Sequence, residues 1–234
     1  MSKTLGIIGG VGPLATAYFF QMVVELTQAA SDQEHIDILI HNNTRIPDRT
    51  EYILHQSEED PVPVLVETAR GLIRAGAEVL ALPCNTAHYF YRQIAEKLSV
   101  PLIHIVEESV AAAIQSGADS IGVMATSGTV IAGTYQQAAE KAGLKCLLPS
   151  PEMQSLLMDI IYHELKAGKP VSPDKLAAVS SDLLERGCEA VILGCTELSL
   201  AKGLLPAGSL FIDSLEVLAR RAIVLCGKQV RETR

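Results

Sequence analysis

The 234-residue sequence predicts an α/β protein built from two similar halves, each a short parallel sheet flanked by helices. Short apolar runs alternate with amphipathic stretches, which is typical of strand–helix–strand units. The runs are continuous in Ile, Val and Leu instead of alternating with polar residues, as in parallel strands that are covered on both faces. The sequence also repeats itself once, in the same order and at a near-constant spacing.

The individual elements follow from these runs, taken in chain order. The segment after Lys3 carries no charge as far as Glu25, but glycines interrupt it in the middle. We therefore predict a short strand and then a helix that begins near Pro13, not a membrane span. Helices are expected between most of the later runs. The predicted strands are Thr4–Ile8, Ile36–His41, Glu78–Leu82, Leu102–Ile105, Ser120–Met124, Lys145–Leu148, Ala190–Leu193 and Leu210–Ile212.

The repeat relates the two halves of the chain. Gly71–Thr86 matches Asp182–Glu197 with an offset of 111 residues between the equivalent cysteines, and two further pairs of segments match at offsets of 116 and 109. Three collinear matches indicate a duplicated, Rossmann-like half. We expect residues 1–105 plus 210–234 to form one half and residues 106–209 the other, related by a pseudo-twofold axis with the active site in the cleft between them.

Composition excludes several classes of protein. A net charge of −8 argues against binding to nucleic acid or to an acidic membrane, because both need clustered Lys and Arg. The five cysteines are an odd number without a Cys-x-x-Cys pair, so no disulfide framework is expected and the thiols should be reduced, as in the cytoplasm. The expected partner is a small molecule.

Two cysteines follow predicted strands at equivalent positions of the repeat. Glu78–Leu82 leads into Pro83-Cys84-Asn85-Thr86, and its counterpart leads into Gly194-Cys195-Thr196. The first strand and its repeat end in small, donor-rich turns, Gly9–Pro13 and Thr126–Thr129. Because ligands of parallel sheets bind beyond the carboxyl ends of the strands, the two thiols are expected to lie opposite each other across one cleft.

Opposed thiols predict a specific reaction. Racemisation of an amino acid removes the Cα proton on one face and returns a proton on the other, so one base must be deprotonated while its counterpart is protonated. Thiols suit both roles, since their pKa of about 8.5 is lowered by helix N-termini and nearby cations. Backbone amides of these turns, with the side chains of Asn85, Thr86 and Thr196, are expected to bind the α-carboxylate and the charge that develops at Cα.

The sequence resembles the aspartate/glutamate racemase family, and within it the aspartate racemases that need no pyridoxal phosphate. The matching segments run through nearly the whole chain, and the two cysteine motifs are the most specific of them. These segments are Gly9–Thr16, Asn42–Thr50, Pro83–His88, Leu165–Gly168 and Gly194–Leu198.

The resemblance implies roles for individual residues. Cys84 and Cys195 are the expected acid/base pair, and Arg49 and Lys166 are the expected cations for the substrate's side-chain carboxylate. A homodimer that needs no cofactor is also implied. Two further residues, Thr129 and Gly10, are expected to bind the substrate or to shape its site.

A dinucleotide-binding motif is a competing interpretation of the glycine turn. Gly10–Ala15 satisfies the Gly-x-Gly-x-x-Ala pattern between a strand and a helix. That motif needs an acidic residue at the end of the next strand to hold the ribose, but Ile36–His41 is followed by Asn42-Asn43. We therefore expect the turn to form a wall of the cleft.

Two histidines have more than one interpretation. His88 lies four residues after Cys84, where it could activate the thiolate, bind a metal or brace the loop. No further Cys/His cluster has metal-ligand spacing, so a metal is not expected. His104 aligns with Asp213 in the repeat, and it could support the cleft or simply cap a strand end.

Three other functions fit the same sequence. A glutamate-preferring or broad-specificity racemase would differ only in the size of the pocket. A related isomerase or decarboxylase could share the fold, although arylmalonate decarboxylases typically keep one cysteine. A non-catalytic amino-acid sensor would not need paired thiols.

Overall fold

The computed structural model describes residues 2–231, and within that range the chain forms two parallel sheets. Each strand is short and most are fully buried, as their continuous apolar sequences predict. The strands of the first sheet are β1 (Leu5–Gly9), β2 (Ile38–Asn42) and β3 (Val79–Ala81). Those of the second sheet are β4 (Ser120–Met124), β5 (Lys145–Leu147), β6 (Ala190–Leu193) and β7 (Leu210–Asp213).

The two sheets share one strand order. The first runs β2-β1-β3 and the second runs β5-β4-β6-β7. Leu5 of β1 pairs with Ile38 and Val79, and the repeat places Ile121 of β4 beside Cys146 and Ala190 in the same way. An isolated parallel bridge from Leu80 to Leu102 stands where β7 stands in the second sheet. The predicted α/β class with two parallel sheets is thus confirmed.

Helices connect the strands and cover both faces of each sheet. The first, α1, begins at Pro13, whose fixed φ suits the first turn. The α-helices are α1 (Pro13–Leu26), α2 (Arg49–Ile53), α3 (Val62–Arg74), α4 (Tyr91–Ala95), α5 (Ile105–Gln115), α6 (Ser127–Ala132), α7 (Thr134–Lys141), α8 (Pro151–Asp159), α9 (Pro173–Glu185) and α10 (Ser214–Leu225). Short 3₁₀ helices span Asp32–Glu34, Thr86–Phe90 and Thr196–Leu204, and a π-helix spans Ile160–Leu165.

One apolar core joins the two sheets. Successive strand residues point to opposite faces, so Leu5 and Ile7 of β1 enter this shared core while Ile8 packs on the outer side. The shared core also contains Ile121 of β4 and Leu215 of α10. Separate clusters lie under α3 and under α9 on the outer faces. The sheets are therefore packed as one body, with their carboxyl ends near each other.

The predicted strand Leu102–Ile105 is wrong in its extent. Only Leu102 bridges to β3, and α5 begins at Ile105. His104 caps that helix, because its Nδ1 accepts the backbone N–H of Glu107 at 3.3 Å. This cap turns the chain into a helix before a ladder can form.

The last part of the chain contacts both halves. Residues 210–234 were expected in the first half, but their strand β7 belongs to the second sheet, where Leu210 pairs with Ala190. The following helix α10 packs on α1 and α5. The exact division of the chain into halves stays a prediction. Across residues 2–231, no helix combines the length and apolarity needed to cross a bilayer.

Candidate active site

A closed cavity lies where the carboxyl ends of the two sheets meet. Its volume is about 10 Å³, roughly the space that one water molecule needs. Both predicted catalytic cysteines line it. The full lining is Val11, Arg49, Thr50, Cys84, Asn85, Thr86, Thr126, Tyr162, Lys166, Cys195, Thr196 and Glu197.

The strands deliver the two cysteines in the same way. Cys84 follows β3 and is succeeded by the 3₁₀ helix Thr86–Phe90, while Cys195 follows β6 and directly precedes the 3₁₀ helix Thr196–Leu204. Both residues are buried, Cys84 at 6% exposed and Cys195 at 5%, so they are shielded from solvent to the same extent. The juxtaposition that the repeat predicts, two thiols at one cavity, is present.

Cys195 has a carboxylate neighbour. Its Sγ donates to Oε2 of Glu197 at 3.1 Å, and the Thr196 hydroxyl donates to the same oxygen at 3.3 Å. Burial and the adjacent Glu197 raise the pKa of Cys195 well above its ordinary value, and Lys166 opposes them. Sequence analysis did not single out Glu197, although its spacing of two residues from Cys195 is the signal that could have found it.

Arg49 provides a buried cation at the opposite side of the cavity. Asp48 caps α2 by accepting the N–H groups of Thr50 and Glu51, which places Arg49 at the first helical position. The Arg49 guanidinium donates to the Pro47 carbonyl at 2.9 Å, but its buried Nε has no hydrogen-bond partner among the described residues. Burial lowers the pKa of Arg49, and the nearby Cys84 and Asp48 more than offset this, so its pKa is raised.

Lys166 and Tyr162 reach the cavity from the π-helix. The wider turn of Ile160–Leu165 carries Tyr162 to the cavity and ends beside Lys166. The Lys166 ammonium lies over the Tyr162 ring, 4.2 Å from its centroid. Burial lowers the pKa of Lys166, but the neighbouring Glu197 and Cys195 raise it by more, so its pKa lies above the ordinary value and the side chain stays charged. Lys166 is exposed at the rim of the cavity. Sequence analysis missed Tyr162, because nothing in an amphipathic run marks a π-turn.

Threonine hydroxyls line the wall between the halves. The Thr86 hydroxyl lies 2.9 Å from that of Thr126 and 3.0 Å from that of Thr129. Thr50 adds a longer contact to Thr126 at 3.5 Å. Thr129 lies behind this cluster and is not part of the cavity lining. Thr50 and Thr126 line the cavity, and neither was among the predicted substrate-binding residues.

The Asn85 side chain joins the two halves. Its Oδ1 accepts from the buried Tyr135 hydroxyl at 2.7 Å, and its Nδ2 donates to the Ser214 hydroxyl at 3.0 Å. Ser214 in turn donates to the Leu193 carbonyl at 2.6 Å, two residues before Cys195. Asn85 therefore connects the loops that carry the cysteines, although it was predicted to bind substrate with its side chain.

His88 and His104 lie outside the cavity. His88 Nδ1 lies 2.8 Å from the Cys84 carbonyl and its Nε2 lies 3.2 Å from the Ile103 carbonyl. Burial, and then the neighbouring His104, lower the pKa of His88 to about 4. Neither imidazole contacts a thiol in the described residues, so His88 braces the Cys84 loop. Within residues 2–231, no three His, Cys, Asp or Glu side chains are arranged to hold a metal ion.

The glycine turn lines an open chamber of about 310 Å³ next to the cavity. Gly12 has a φ of +121°, and a Cβ there would collide with Oε1 of Glu197. Gly10 likewise packs on the backbone of Asn43, and it lines the outer chamber, not the cavity. Arg49, Lys166 and Glu197 line both spaces, so these three side chains form the partition.

Known proteins are similar to this chain in sequence and in fold. The family model for Asp/Glu/hydantoin racemases matches residues 8–222. The broad-specificity amino-acid racemase RacX of Bacillus subtilis is 25% identical over 223 residues, covering 94% of this chain and 96% of that protein. The Picrophilus torridus aspartate racemase superposes with a TM-score of 0.87 at 25% identity, covering 98% of this chain and 96% of the other.

A glutamate racemase of Thermus thermophilus is 34% identical over 159 residues, which is 66% of this chain and 57% of that protein. The chain thus spans little more than half of that relative. The match to the family model covers most of the chain, so the chain belongs to the Asp/Glu/hydantoin racemase family. It is an amino-acid racemase.

Proposed function

We propose that the protein interconverts L- and D-aspartate without a cofactor, and that Cys84 and Cys195 exchange the Cα proton from opposite faces. One observation carries the proposal: the two buried thiols line the same closed cavity. In each direction one thiolate removes the Cα proton, and the opposite thiol returns a proton to the other face. The next turnover in the reverse direction exchanges the two roles.

The charges of the cavity wall support an acidic substrate. The unpartnered Nε of Arg49 is a buried donor, and a guanidinium binds a carboxylate in a fixed geometry. Lys166 adds a second cation at the rim. We assign the side-chain carboxylate of the substrate to these two residues. The hydroxyls of Thr86 and Thr196 are assigned to the α-carboxylate and amino group, while Asn85 and Thr129 are assigned to holding the wall.

Aspartate is favoured over glutamate by one feature. The similarity to the Picrophilus torridus aspartate racemase covers nearly the whole chain. The cavity volume of about 10 Å³ must widen to admit any amino acid. We propose that substrate enters from the outer chamber when the partition formed by Arg49, Lys166 and Glu197 opens.

A broad-specificity racemase is the second candidate. The similarity to RacX of Bacillus subtilis, which covers 96% of that protein, favours it. The two candidates share the cysteine chemistry and differ in how the partition and the threonine wall accept other side chains.

Chiral chromatography after incubation with single enantiomers tests the proposal. We expect aspartate to be racemised from either enantiomer, and glutamate, which has one extra methylene, at least about tenfold more slowly. Alanine should also react at least about tenfold more slowly, because it lacks the side-chain carboxylate assigned to Arg49 and Lys166. Cys84→Ala and Cys195→Ala should each lower the rate by about 10²–10⁴-fold, since each removes an acid/base group. Cys146→Ala, on the edge strand β5, is the matched control.

The outcomes separate the candidates. Comparable rates on glutamate and on neutral amino acids would replace aspartate racemisation with the broad-specificity assignment. Full activity in Cys84→Ala would overturn the two-cysteine mechanism itself.

A further inference from the structure

The two cysteines have neighbours of opposite charge. Cys195 is hydrogen-bonded to the carboxylate of Glu197, whereas Cys84 lies beside the guanidinium of Arg49. We propose that Glu197 keeps the proton on Cys195 in the free protein, so that Cys195 rests as a thiol. This inference rests on the proposed function of the two cysteines and adds a positioning residue to it.

The carboxylate of Glu197 is fixed in place against Cys195. Its Oε2 accepts from Cys195 Sγ at 3.1 Å and from the Thr196 hydroxyl at 3.3 Å. Its Oε1 is buried without a hydrogen-bond partner in the described residues, and it packs where only a glycine, Gly12, leaves room. A carboxylate with one oxygen already bonded to the thiol and the other enclosed has little freedom to turn away.

Several other titratable or charged groups lie near Cys195. Lys166 and Tyr162 reach the cavity from the π-helix and its end, and Cys84 with Arg49 from the first half. Tyr135 of α7 lies behind the cavity wall, where its hydroxyl donates to Asn85. Lys166 is the cation that favours a thiolate at Cys195. The Glu197 contact opposes it at hydrogen-bond distance, and burial acts in the same direction as Glu197. A thiolate at Cys195 would place two anions 3.1 Å apart in a closed cavity, which is strongly unfavourable.

The proton held on Cys195 defines the role of this residue in a turnover. For the enantiomer whose Cα proton faces the first half, Cys84 acts as the thiolate base and takes that proton, forming an S–H bond as the C–H bond breaks. Cys195 then gives its proton to the opposite face of the same carbon. The site is left as a thiol at Cys84 and a thiolate at Cys195. A reverse turnover, or one proton gained from water at Cys195 and one lost from Cys84, restores the resting form.

Alkylation of the intact protein tests the assignment without any substrate. Iodoacetamide reacts with thiolates, so at a fixed pH the alkylation rate of Cys195, followed by peptide mapping with mass spectrometry, reports how much of this residue is thiolate. Glu197→Gln should raise that rate by about tenfold or more, as a one-unit fall in the pKa of Cys195 requires. Cys84 lines the same cavity, so an unchanged alkylation rate of Cys84 shows that access to the cavity is unaltered. The other cysteines should react slowly, since burial raises the pKa of Cys146 and Cys226 to about 11 and also raises that of Cys188.

A pair of variants tests the role of Glu197 itself. The pH dependence of Cys195 alkylation, read by peptide mapping, should move to lower pH by roughly one to three units in Glu197→Gln. Glu67→Gln, on the exposed face of α3, is the matched control.

Two results would overturn the inference: an unchanged alkylation rate of Cys195 in Glu197→Gln, or an unchanged pH dependence of that reaction. Glu197→Ala removes the same carboxylate, so it decides the question if Glu197→Gln fails to fold. A failed racemase assay with the expected change in Cys195 alkylation would refute the proposed function alone. Racemisation of aspartate with unchanged Cys195 alkylation in Glu197→Gln would refute this inference alone.

Discussion

At the scale of single residues, His88 holds the loop of the first cysteine. Its Nδ1 lies 2.8 Å from the Cys84 carbonyl, and a neutral imidazole has one N–H to donate. The second ring nitrogen faces the Ile103 carbonyl at 3.2 Å. Burial of the ring and the adjacent His104 keep the pKa of His88 at about 4, so the imidazole is neutral at physiological pH.

This histidine predicts an acid-sensitive stability. In the unfolded chain the ring takes up a proton near pH 6.5, whereas in the folded protein it does so only near pH 4. Between those values the unfolded state binds more protons, so the free energy of unfolding falls as the pH falls through this window. The difference of about 2.5 pH units corresponds to roughly 3 kcal/mol.

Burial also lowers the pKa of His104 to about 4, so two histidines contribute to this window. His88→Asn should therefore remove about half of the dependence while its amide still donates to the Cys84 carbonyl. Urea denaturation between pH 7 and pH 4 measures the slope, and the exposed His163→Asn is the control. An unchanged slope in His88→Asn would contradict the assignment of the acid sensitivity to this ring.

The site residues that could be predicted from the sequence are those that occupy equivalent positions in the two copies of the repeat. Cys84 and Cys195 are marked by identical places after equivalent strands, and the structure puts both on one cavity. Thr129 and Asn85 were placed in the site by the same proximity, yet their hydrogen bonds point into the wall. Which way a side chain turns depends on partners far along the chain, such as Tyr135 and Ser214, that no local pattern reveals.

At the scale of elements, the glycine turn between β1 and α1 is shaped by its neighbours and not by a phosphate. Gly10 packs on the Asn43 backbone, and Gly12 leaves room for the Glu197 carboxylate. The turn is closed by Thr16, whose hydroxyl accepts the Gly10 N–H at 3.1 Å and donates to the Gly12 carbonyl at 2.9 Å. Asn43, where a dinucleotide site would need an acid, is buried and bonded to Thr68.

Gly12→Ala and Gly76→Ala make a matched pair. Both glycines have a positive φ, +121° and +110°, so either alanine should cost about 1–2 kcal/mol of stability by thermal unfolding. A Cβ at position 76 meets nothing within 4 Å, whereas one at position 12 displaces Glu197. We therefore expect Gly12→Ala alone to lower kcat, by about tenfold or more, since small misplacements in a site are costly.

The kinetic comparison decides whether the turn supports the site. Equal kcat values in the two alanine variants would show that the Glu197 contact at Gly12 has no bearing on the reaction.

Strands could be predicted where a local run of apolar residues defines them. The prediction failed where a helix cap ends the strand early. The continuous apolar runs locate β1 and β4 to within one residue. The run Leu102–Ile105 has the composition of a strand, but the His104 cap and the start of α5 shorten it to a bridge. The π-helix Ile160–Leu165 has no sequence signal, since its extra residue per turn is imposed by packing.

At the scale of the whole molecule, a buried hydrogen-bond network joins the two halves behind the cavity. It runs from Tyr135 through Asn85 and Ser214 to the Leu193 carbonyl, and so connects the loops of both cysteines. The shared apolar core on the inner faces of both sheets supports it. The relative position of the two thiols is therefore set by contacts between the halves, which the repeat implies but does not specify.

Ser214→Ala should break this network at its centre. It leaves Asn85 Nδ2 and the Leu193 carbonyl without their partner, which costs about 1–3 kcal/mol of stability. Because the cysteine loops lose their link, kcat should fall several-fold. Ser180→Ala is the control, since this equally buried hydroxyl bonds only within α9. Equal kcat in the two variants would contradict a positioning role for the network.

The most direct test of the central claim is the fate of the Cα hydrogen during the first turnovers. L-aspartate is incubated with the protein in deuterium oxide, and the reaction is stopped before the two enantiomers reach equilibrium. The enantiomers are separated, and mass spectrometry measures the deuterium content of each. Proton exchange between two thiols on opposite faces predicts that newly formed D-aspartate carries deuterium at Cα while the remaining L-aspartate still carries protium. D-aspartate that retains its original protium would contradict the account.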